Sequence, residues 1–463
     1  MPITAQAMES WLRQVLQPDA ATRSLTLSDY LKAIPPLESL ADLPAGTPVL
    51  VRGDVDAKPG PTVGEGDIRL RSMAETLNFG RQKGWIQVIF GHIGRDPKGS
   101  LQKVCQRIGD ILGTPVGFVA DWLDPDTLTI LPAAVEAVRS AKPGDVLMLE
   151  NTRKYPIETV LWKLKPAGIP EVAPKLAHLA NEYAEKIARV YVNEAFSAGS
   201  LDTSTVVVPA AMDRVALGKY VAGEFAGPLM DCLDAQLVIS SGLKIDKLDD
   251  LEAMINRGKI RWVFTAGSLA NGLKKAAAEL EGKSYSIGVA EDPAHRDKPY
   301  FIPRERVEQA KKLIAEGRQK GIEFVIPVDF VLQDGRVSET IGPGDQQLDV
   351  GPATSELFEK KIGEFLEKTR NLPDRVAFHN GVFGMFEDSR FEAGTKRFIP
   401  QLKRMKDAGV RVYVGGGEGG KALEQYGQPD WVTHNFTAGG TVLNALGSEP
   451  VPYLVALRMA ALR

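Results

Sequence analysis

Short runs that are apolar at nearly every position alternate along the chain with longer segments whose apolar residues recur every three or four positions. The runs include TPVLVR (47–52), IQVIFG (86–91), DVLMLE (145–150), VYVNEA (190–195), QLVISS (236–241), RWVFTA (261–266), EFVIPVDF (323–330), RVAFHN (375–380) and VRVYVG (410–415). Between them lie segments such as RLRSMAETLNFGRQK and EVAPKLAHLANEYAEKIA, which carry the 3.6-residue period of amphipathic helices. Strands apolar throughout and interleaved with helices predict parallel sheets covered on both faces. The pattern predicts an α/β protein with enough strands for two sheets, and 463 residues exceed what one ordinary core organises.

The expected organisation follows from where the pattern changes. Residues 1–45 precede the first strand as an N-terminal extension. Within it Met8, Leu12 and Leu16 have helical spacing, so MESWLRQVL reads either as a docked amphipathic helix or as a disordered lead. A first α/β domain is expected over 46–214 and a connecting helix over 215–235, within MDRVALGKYVAGEFAGPLMDCLDA. A second α/β domain is expected over 236–442 and a C-terminal segment over 443–463.

Composition narrows the class. Hydrophobic residues make up 44% and charged residues 25%, as in a soluble globular protein. A net charge of −3 offers no bulk attraction to nucleic acid or to an anionic membrane. Cys105 and Cys232 are too few and too far apart for a disulfide framework or a thiolate metal site. No secretory signal pattern opens the chain, and no apolar stretch approaches the roughly 20 residues that span a bilayer. A cytoplasmic protein without nucleic-acid or membrane partners is expected.

In open parallel sheets ligands bind beyond the carboxyl ends of the strands, and the chemistry of this chain gathers there. VLVR is followed by GDVD, VIF by GHIGRD, LMLE by NTRKYP and VYV by NEAFSAGS. Arg52, Arg95 and Arg153 thus repeat a strand-then-arginine arrangement, and Arg69 follows the loop PGPTVGEGD. Arginine's planar fork suits phosphate and carboxylate, so the repetition points to an anion site that His92 could join as a donor. The second half ends its strands in glycine instead: SSGLKIDK, TAGSLANG, HNGVFGMFE, VGGGEGG and NFTAGGTV. Such turns let successive amides form an anion cradle at a helix N-terminus. None matches GxxxxGK[ST] and none is a proper GxGxxG fingerprint, which disfavours a P-loop NTPase or a dinucleotide-binding dehydrogenase. Arginines in one half and amides in the other suggest phosphoryl transfer between a small acid and a nucleotide.

The ordered motifs resemble those of the phosphoglycerate kinase family over about residues 48–462. VRGDVDAKP stands where the family has VRVDFNVP, IRLRSMAETL where it has TRIRAALPTI, and GHIGRD where it has SHLGRP. ENTRKYP corresponds to ENVRFYP, NEAF to NDAF, GPAT to GPKT, HNGVFGMFE to WNGPMGVFE, GGGEG to GGGDT, and FTAGGTV to STGGGAS. The resemblance implies two Rossmann-like domains joined by a hinge helix, with the C-terminal segment returning to the first domain. It implies 3-phosphoglycerate or a related acid on the first, MgATP or MgADP on the second, and a monomer. By the same resemblance acid-binding roles fall on Arg52, Asp54, Asp56, His92, Arg95 and Arg153, and Arg69 lies against the transferring phosphoryl group. Lys244 and Lys247 match the family's two catalytic lysines. Gly242, Lys244, Gly267, Asn380, Glu387, Gly415, Gly416, Gly417, Gly439 and Gly440 serve the nucleotide, and Glu418 replaces the aspartate linked to Mg²⁺.

Several positions depart from the family pattern. The lysines are one residue closer, which on a helix would turn Lys247 by roughly 100°. NEAF is followed by SAGSLDTST in place of GTAHRAHAST, so an arginine and two histidines are missing. Asp56 replaces an asparagine, Gly419 a threonine, Ala353 a lysine and Val382 a proline. Three readings are therefore carried: a phosphoglycerate kinase, a paralogous kinase for another acid, and a nucleotide-binding pseudokinase or interaction module.

Overall fold

The computed structural model describes residues 2–463 apart from Lys244 and Ser448. Two compact units form, Met1–Gly227 with Glu449–Arg463 and Pro228–Ser448. No described helix is long and apolar enough to cross a membrane.

The first unit is built on six parallel strands: β1 (Pro48–Gly53), β2 (Ile86–Phe90), β3 (Gly117–Val119), β4 (Val146–Leu149), β5 (Val190–Glu194) and β6 (Arg214–Leu217), in the order β3-β4-β2-β1-β5-β6. Every residue of β2 and β5 is buried, as sequences apolar on both faces require. On β1, Val49 and Val51 join a core with Met73, Ile89 and Met148, so the period-2 alternation sends Leu50 and Arg52 to the other face.

The second unit repeats the plan with β7 (Leu237–Ser240), β8 (Trp262–Thr265), β9 (Glu323–Val325), β13 (Val376–Asn380), β14 (Arg411–Gly415) and β15 (His434–Asn435), ordered β15-β14-β13-β7-β8-β9 and parallel throughout. Ile239, Phe264, Phe358, Ile399 and Val412 lie in its core. A small antiparallel sheet, β11-β10-β12, is formed by β10 (Phe330–Leu332), β11 (Val337–Ser338) and β12 (Gln347–Val350). The run EFVIPVDF, read as one strand, is split between β9 and β10, because Pro327 has no amide proton for a ladder.

The helix expected from residue 215 starts later. Arg214–Leu217 is β6, which pairs in parallel with Val190–Asn193. Four residues are too short a run to stand out beside the helix-patterned stretch that follows. Gly218 then precedes a helix at Lys219–Glu224, a π-helical turn at Phe225–Leu229 containing Pro228, and a helix at Met230–Leu233. Pro228 contributes no amide hydrogen, which fits the break in helical period.

The N-terminal segment is a docked helix, Ala5–Leu16, started by the Thr4 hydroxyl, which accepts from Ala7 N. Met8, Trp11, Leu12 and Val15 form its buried stripe and pack with Leu176, Ala177 and Ala180 of the helix Ile169–Lys186 and with Ala456 of the C-terminal helix Pro452–Ala461. The Asn181 amide pins Ile3 with paired hydrogen bonds of 2.8 and 2.9 Å. Trp11 Nε1 donates to Val206 O at 2.8 Å, and the Arg463 guanidinium lies 4.6 Å above the Trp11 ring. Replacing a fully buried Trp with Ala costs about 3–5 kcal/mol. Trp11→Ala is expected to destabilise the first unit by that amount in chemical denaturation. A loss below about 1 kcal/mol, the size typical of exposed positions, would mean that the helix is only loosely attached.

Candidate functional site

In the first unit β4, β2, β1 and β5 are sheet neighbours, so the segments after them converge at one edge. Arg52 is 1% exposed and donates through Nε to Ser204 Oγ (3.0 Å) and Thr205 Oγ1 (3.2 Å), and through Nη1 to Gly53 O (2.7 Å). His92 Nδ1 lies 2.9 Å from Arg52 Nη2 and 3.1 Å from Asp202 Oδ2, and its tautomer decides which contact is a hydrogen bond. Arg153 donates to Gly94 O at 2.6 Å and to both Asp202 oxygens at 3.3 and 3.2 Å, while its guanidinium stacks 4.7 Å from the Trp162 ring. Trp162 Nε1 also donates to Asp202 Oδ1 at 2.9 Å. Arg52, His92 and Arg153 are thus brought together as the sequence suggests, around a carboxylate that the sequence reading did not single out.

Burial alone would raise the Asp202 carboxyl. The hydrogen bond and charge from His92, with the charges of Arg153 and Arg52, outweigh it and hold the group well below the usual carboxylate range. Glu158, fully enclosed, is raised by burial and by the charge of Asp202. It accepts from Thr152 Oγ1 (3.0 Å), Ser204 Oγ (2.5 Å) and Ser204 N (2.9 Å). Burial and the Arg52 charge keep His92 below the ordinary histidine range against the pull of Asp202. Ligand atoms of His92, Glu158 and Asp202 lie within 4.8 Å of one another, close enough to hold a metal ion. A cation there would face the two guanidinium groups that already neutralise the cluster, so the charges do not favour one.

Arg69 sits apart from that cluster. It donates to Asp56 O at 3.0 Å and Asp56 Oδ2 at 3.3 Å, and its Nε is 3.8 Å from Asp54 Oδ1. Asp56 also accepts from Gly94 N at 2.9 Å. Asp54 is buried and accepts from the Ser197 hydroxyl and amide at 2.7 and 3.1 Å. Arg95 is exposed and makes no ion pair or side-chain hydrogen bond with the described residues.

In the second unit a cavity of about 420 Å³ opens at the carboxyl ends of the strands. Gly242, Gly267, Ser268, Glu387 and Glu418 line it with apolar Leu243, Val289, Val382 and Met385. Three helices start at the glycine turns on this edge: Gly267–Leu280, Gly417–Tyr426 and Gly439–Leu446. None has a side-chain N-cap; Ser268 N donates to Gly242 O at 3.0 Å, and helix starts of this kind suit an anion. Gly416 has φ +109°, and a Cβ on Gly439 would collide with it. A Cβ on Gly267, at φ +63°, would come 2.7 Å from Gly242 O. Asn380 Nδ2 donates to Gly415 O at 2.7 Å, fixing the turn after β14. Gly417 and Gly440 face open space.

Lys244 lies outside the described residues. Lys247 is not turned away to solvent. It is the first residue of the helix Lys247–Asn256, so the residues before it form a turn and the rotation expected of a helix does not apply. Its Nζ donates to Asn380 Oδ1 at 2.7 Å and to Ser241 O. Burial pushes the ammonium down to about 8, against the charges of Glu418 and Asp250. Glu418, exposed in the first turn of Gly417–Tyr426, makes no hydrogen bond or ion pair with the described residues. A carboxylate with free oxygens beside a phosphate-sized cradle fits a hard divalent cation, which takes one or two carboxylates and completes its shell with phosphate and water.

Two doubly wound units, one with clustered arginines and one with amide-lined turns, define a two-domain α/β phosphotransferase. The model of the family "Phosphoglycerate kinase" matches residues 40–449, and the chain belongs to that family. It is 29% identical over 426 residues to the phosphoglycerate kinase of Clostridium beijerinckii, covering 89% of this chain and 96% of that one. It is 28% identical over 414 residues to the cytosolic phosphoglycerate kinase of Triticum aestivum, covering 84% and 90%. In fold it is similar to the crystal structure of phosphoglycerate kinase from Pyrococcus horikoshii OT3, with a TM-score of 0.69 at 23% identity over 92% of this chain and 99% of that one. The enzyme from Coxiella burnetii gives 0.65 at 20%, over 91% and 99%. The chain is accordingly a phosphotransferase acting on a carboxyl group, with ATP or ADP as co-substrate.

Lys247 loses its proton as pH rises through about 8, and a neutral amine attracts phosphate less. ATP affinity measured by calorimetry is expected to fall above that pH, and Lys247→Arg should move the decline upward by more than about one pH unit, since arginine stays charged. An unchanged profile in the variant would assign the titration to another group.

Proposed function

We propose that the chain carries out its family's reaction in full, moving a phosphoryl group reversibly between MgATP and the carboxylate of 3-phosphoglycerate. The observation that carries this reading is the cradle of the second unit: three uncapped helix starts at glycine turns, with Lys247 directed at the same loops by Asn380 and Ser241. The amides of Gly267, Gly417, Gly439 and Gly440 receive the phosphates. Gly242, Gly415 and Gly416 keep the backbone close, and Glu387 takes the ribose. Glu418 holds Mg²⁺, which supplies charge neutralisation on the phosphate oxygens when bound.

In this reading the acid's carboxylate is already ionised near neutral pH and needs no general base. One of its oxygens forms a bond to the terminal phosphorus of ATP as the bond to the bridging oxygen breaks, releasing ADP and leaving an acyl phosphate. Positioning and charge neutralisation then account for the acceleration. Arg69 and Lys247 offset charge that develops on the transferring group. Arg52, His92, Arg95 and Arg153 orient the acid, with Asp54 and Asp56 holding Arg69. A cytoplasmic location and a monomeric state belong to the same reading, the former supported by the cytosolic wheat relative.

The test is ATP consumption by purified protein with Mg²⁺, with and without millimolar 3-phosphoglycerate. Strong stimulation is expected, reduced about 100-fold or more in kcat by Arg69→Ala, the usual scale for removing a group aimed at transition-state charge. Stimulation that survives the substitution undiminished would remove Arg69 from the reaction. No stimulation in a protein that binds ATP would overturn the reading.

A further inference from the structure

Of the five basic side chains that mark the acid site, four already face carboxylates of the chain itself. Asp202 meets Arg52, His92 and Arg153, and Asp56 with Asp54 meets Arg69. Asp202 is fully buried among them. Its two oxygens accept from Arg153 and Trp162, and one lies 3.7 Å from Arg52 and 3.1 Å from His92. A carboxylate in that setting does electrostatically what one anionic group of an acid substrate would do. Asp202 already offsets part of the guanidinium charge before any ligand arrives, which suits a buried ion network and diminishes what a second anion can gain. The Nε of Arg153 is buried with no hydrogen-bond partner among the described residues, so the cluster keeps a donor for a further acceptor.

We propose that Asp202 is a specificity-determining residue of the acid site: from within the chain it occupies the anion position shared by Arg52, His92 and Arg153, and so weakens binding of acids that carry a phosphate besides their carboxylate. The proposal rests on the phosphoglycerate kinase reading for which edge binds the acid, and it names the charge class that edge prefers. An acid with a single anionic group suffers no competition from Asp202, whereas 3-phosphoglycerate must bring its second anion against it. The loop GSLD (199–202) carries the carboxylate. Trp162 and Arg153 hold it in place, and Trp11 braces the same segment from below through Val206 O.

The experiment compares wild type with Asp202→Asn, which keeps an oxygen acceptor and removes the charge. Affinity for 3-phosphoglycerate is read by calorimetry, which needs no turnover, and KM and kcat are read in the coupled assay. The variant should bind 3-phosphoglycerate and inorganic phosphate about tenfold or more tightly, as expected on removing a unit charge from contact with the anion's partners. KM for 3-phosphoglycerate should fall likewise, with KM for ATP unchanged. A purely structural ion pair would instead give a less stable variant with unchanged or weaker affinity, and that result would overturn the proposal. Should Asp202→Asn be unstable, phosphate or sulfate should raise its Tm well beyond any rise in wild type, with Asp202→Ser behaving alike. Failure of anions to rescue either variant would also overturn it. If neither protein turns over 3-phosphoglycerate although both bind ATP, the catalytic reading fails, while the calorimetric comparison still decides the role of Asp202.

Discussion

Parallel strand pairing is the constraint on which the sites of this protein depend. When every strand of a sheet runs the same way, every following loop and the start of every following helix open on one edge. Both six-stranded sheets are parallel throughout. Arg52, His92 and Arg153 come from three different strand ends and meet only because β1, β2 and β4 are neighbours. The same geometry gathers the turns after β7, β8, β13 and β14, where Gly242, Gly267, Asn380 and Gly416 lie together.

The two edges solve the problem of holding charge differently. The first buries ionised side chains and satisfies each with a partner, since a buried charge left unpaired costs several kcal/mol. In the Arg52–His92–Asp202–Arg153 network each charged group has a partner in the free protein, with Arg153 Nε left over as a donor, and an anion that enters between these groups meets Asp202. The second relies on backbone amides, which need no counter-ion and leave the cradle open. Among its described residues Lys247 is an enclosed ammonium, poised near its point of titration by burial. Bound phosphate would restore its charge, so affinity and protonation are coupled at that site.

Much of the fold was legible because apolar runs and helical periods are local signals. Each of the nine runs contains strand residues. What escaped was short or divided: β3 and β15 have three and two residues, β6 is hidden beside a helical pattern, and Pro327 cuts one run in two. At the sites, a residue type at a strand end was visible but its partner was not. Glu158 meets Ser204 across 46 residues and Asp202 meets Arg153 across 49, and no spacing rule announces either. The only hint was that SLDTST departs from the family motif. The rotation expected of Lys247 does not apply, because the residues before it form a turn. Arg95, equivalent to its fellow arginines in sequence, stands exposed in the loop after β2.

The central claim is that a carboxylate oxygen of the acid takes the terminal phosphoryl group of ATP. Acyl phosphates react with hydroxylamine to give hydroxamates, so the direct measurement is hydroxamate formed from 3-phosphoglycerate with ATP and Mg²⁺, set against ADP released. The account predicts hydroxamate and ADP in equal amounts, and neither when the acid is omitted. ADP without hydroxamate would mean hydrolysis in place of transfer, and would contradict the account.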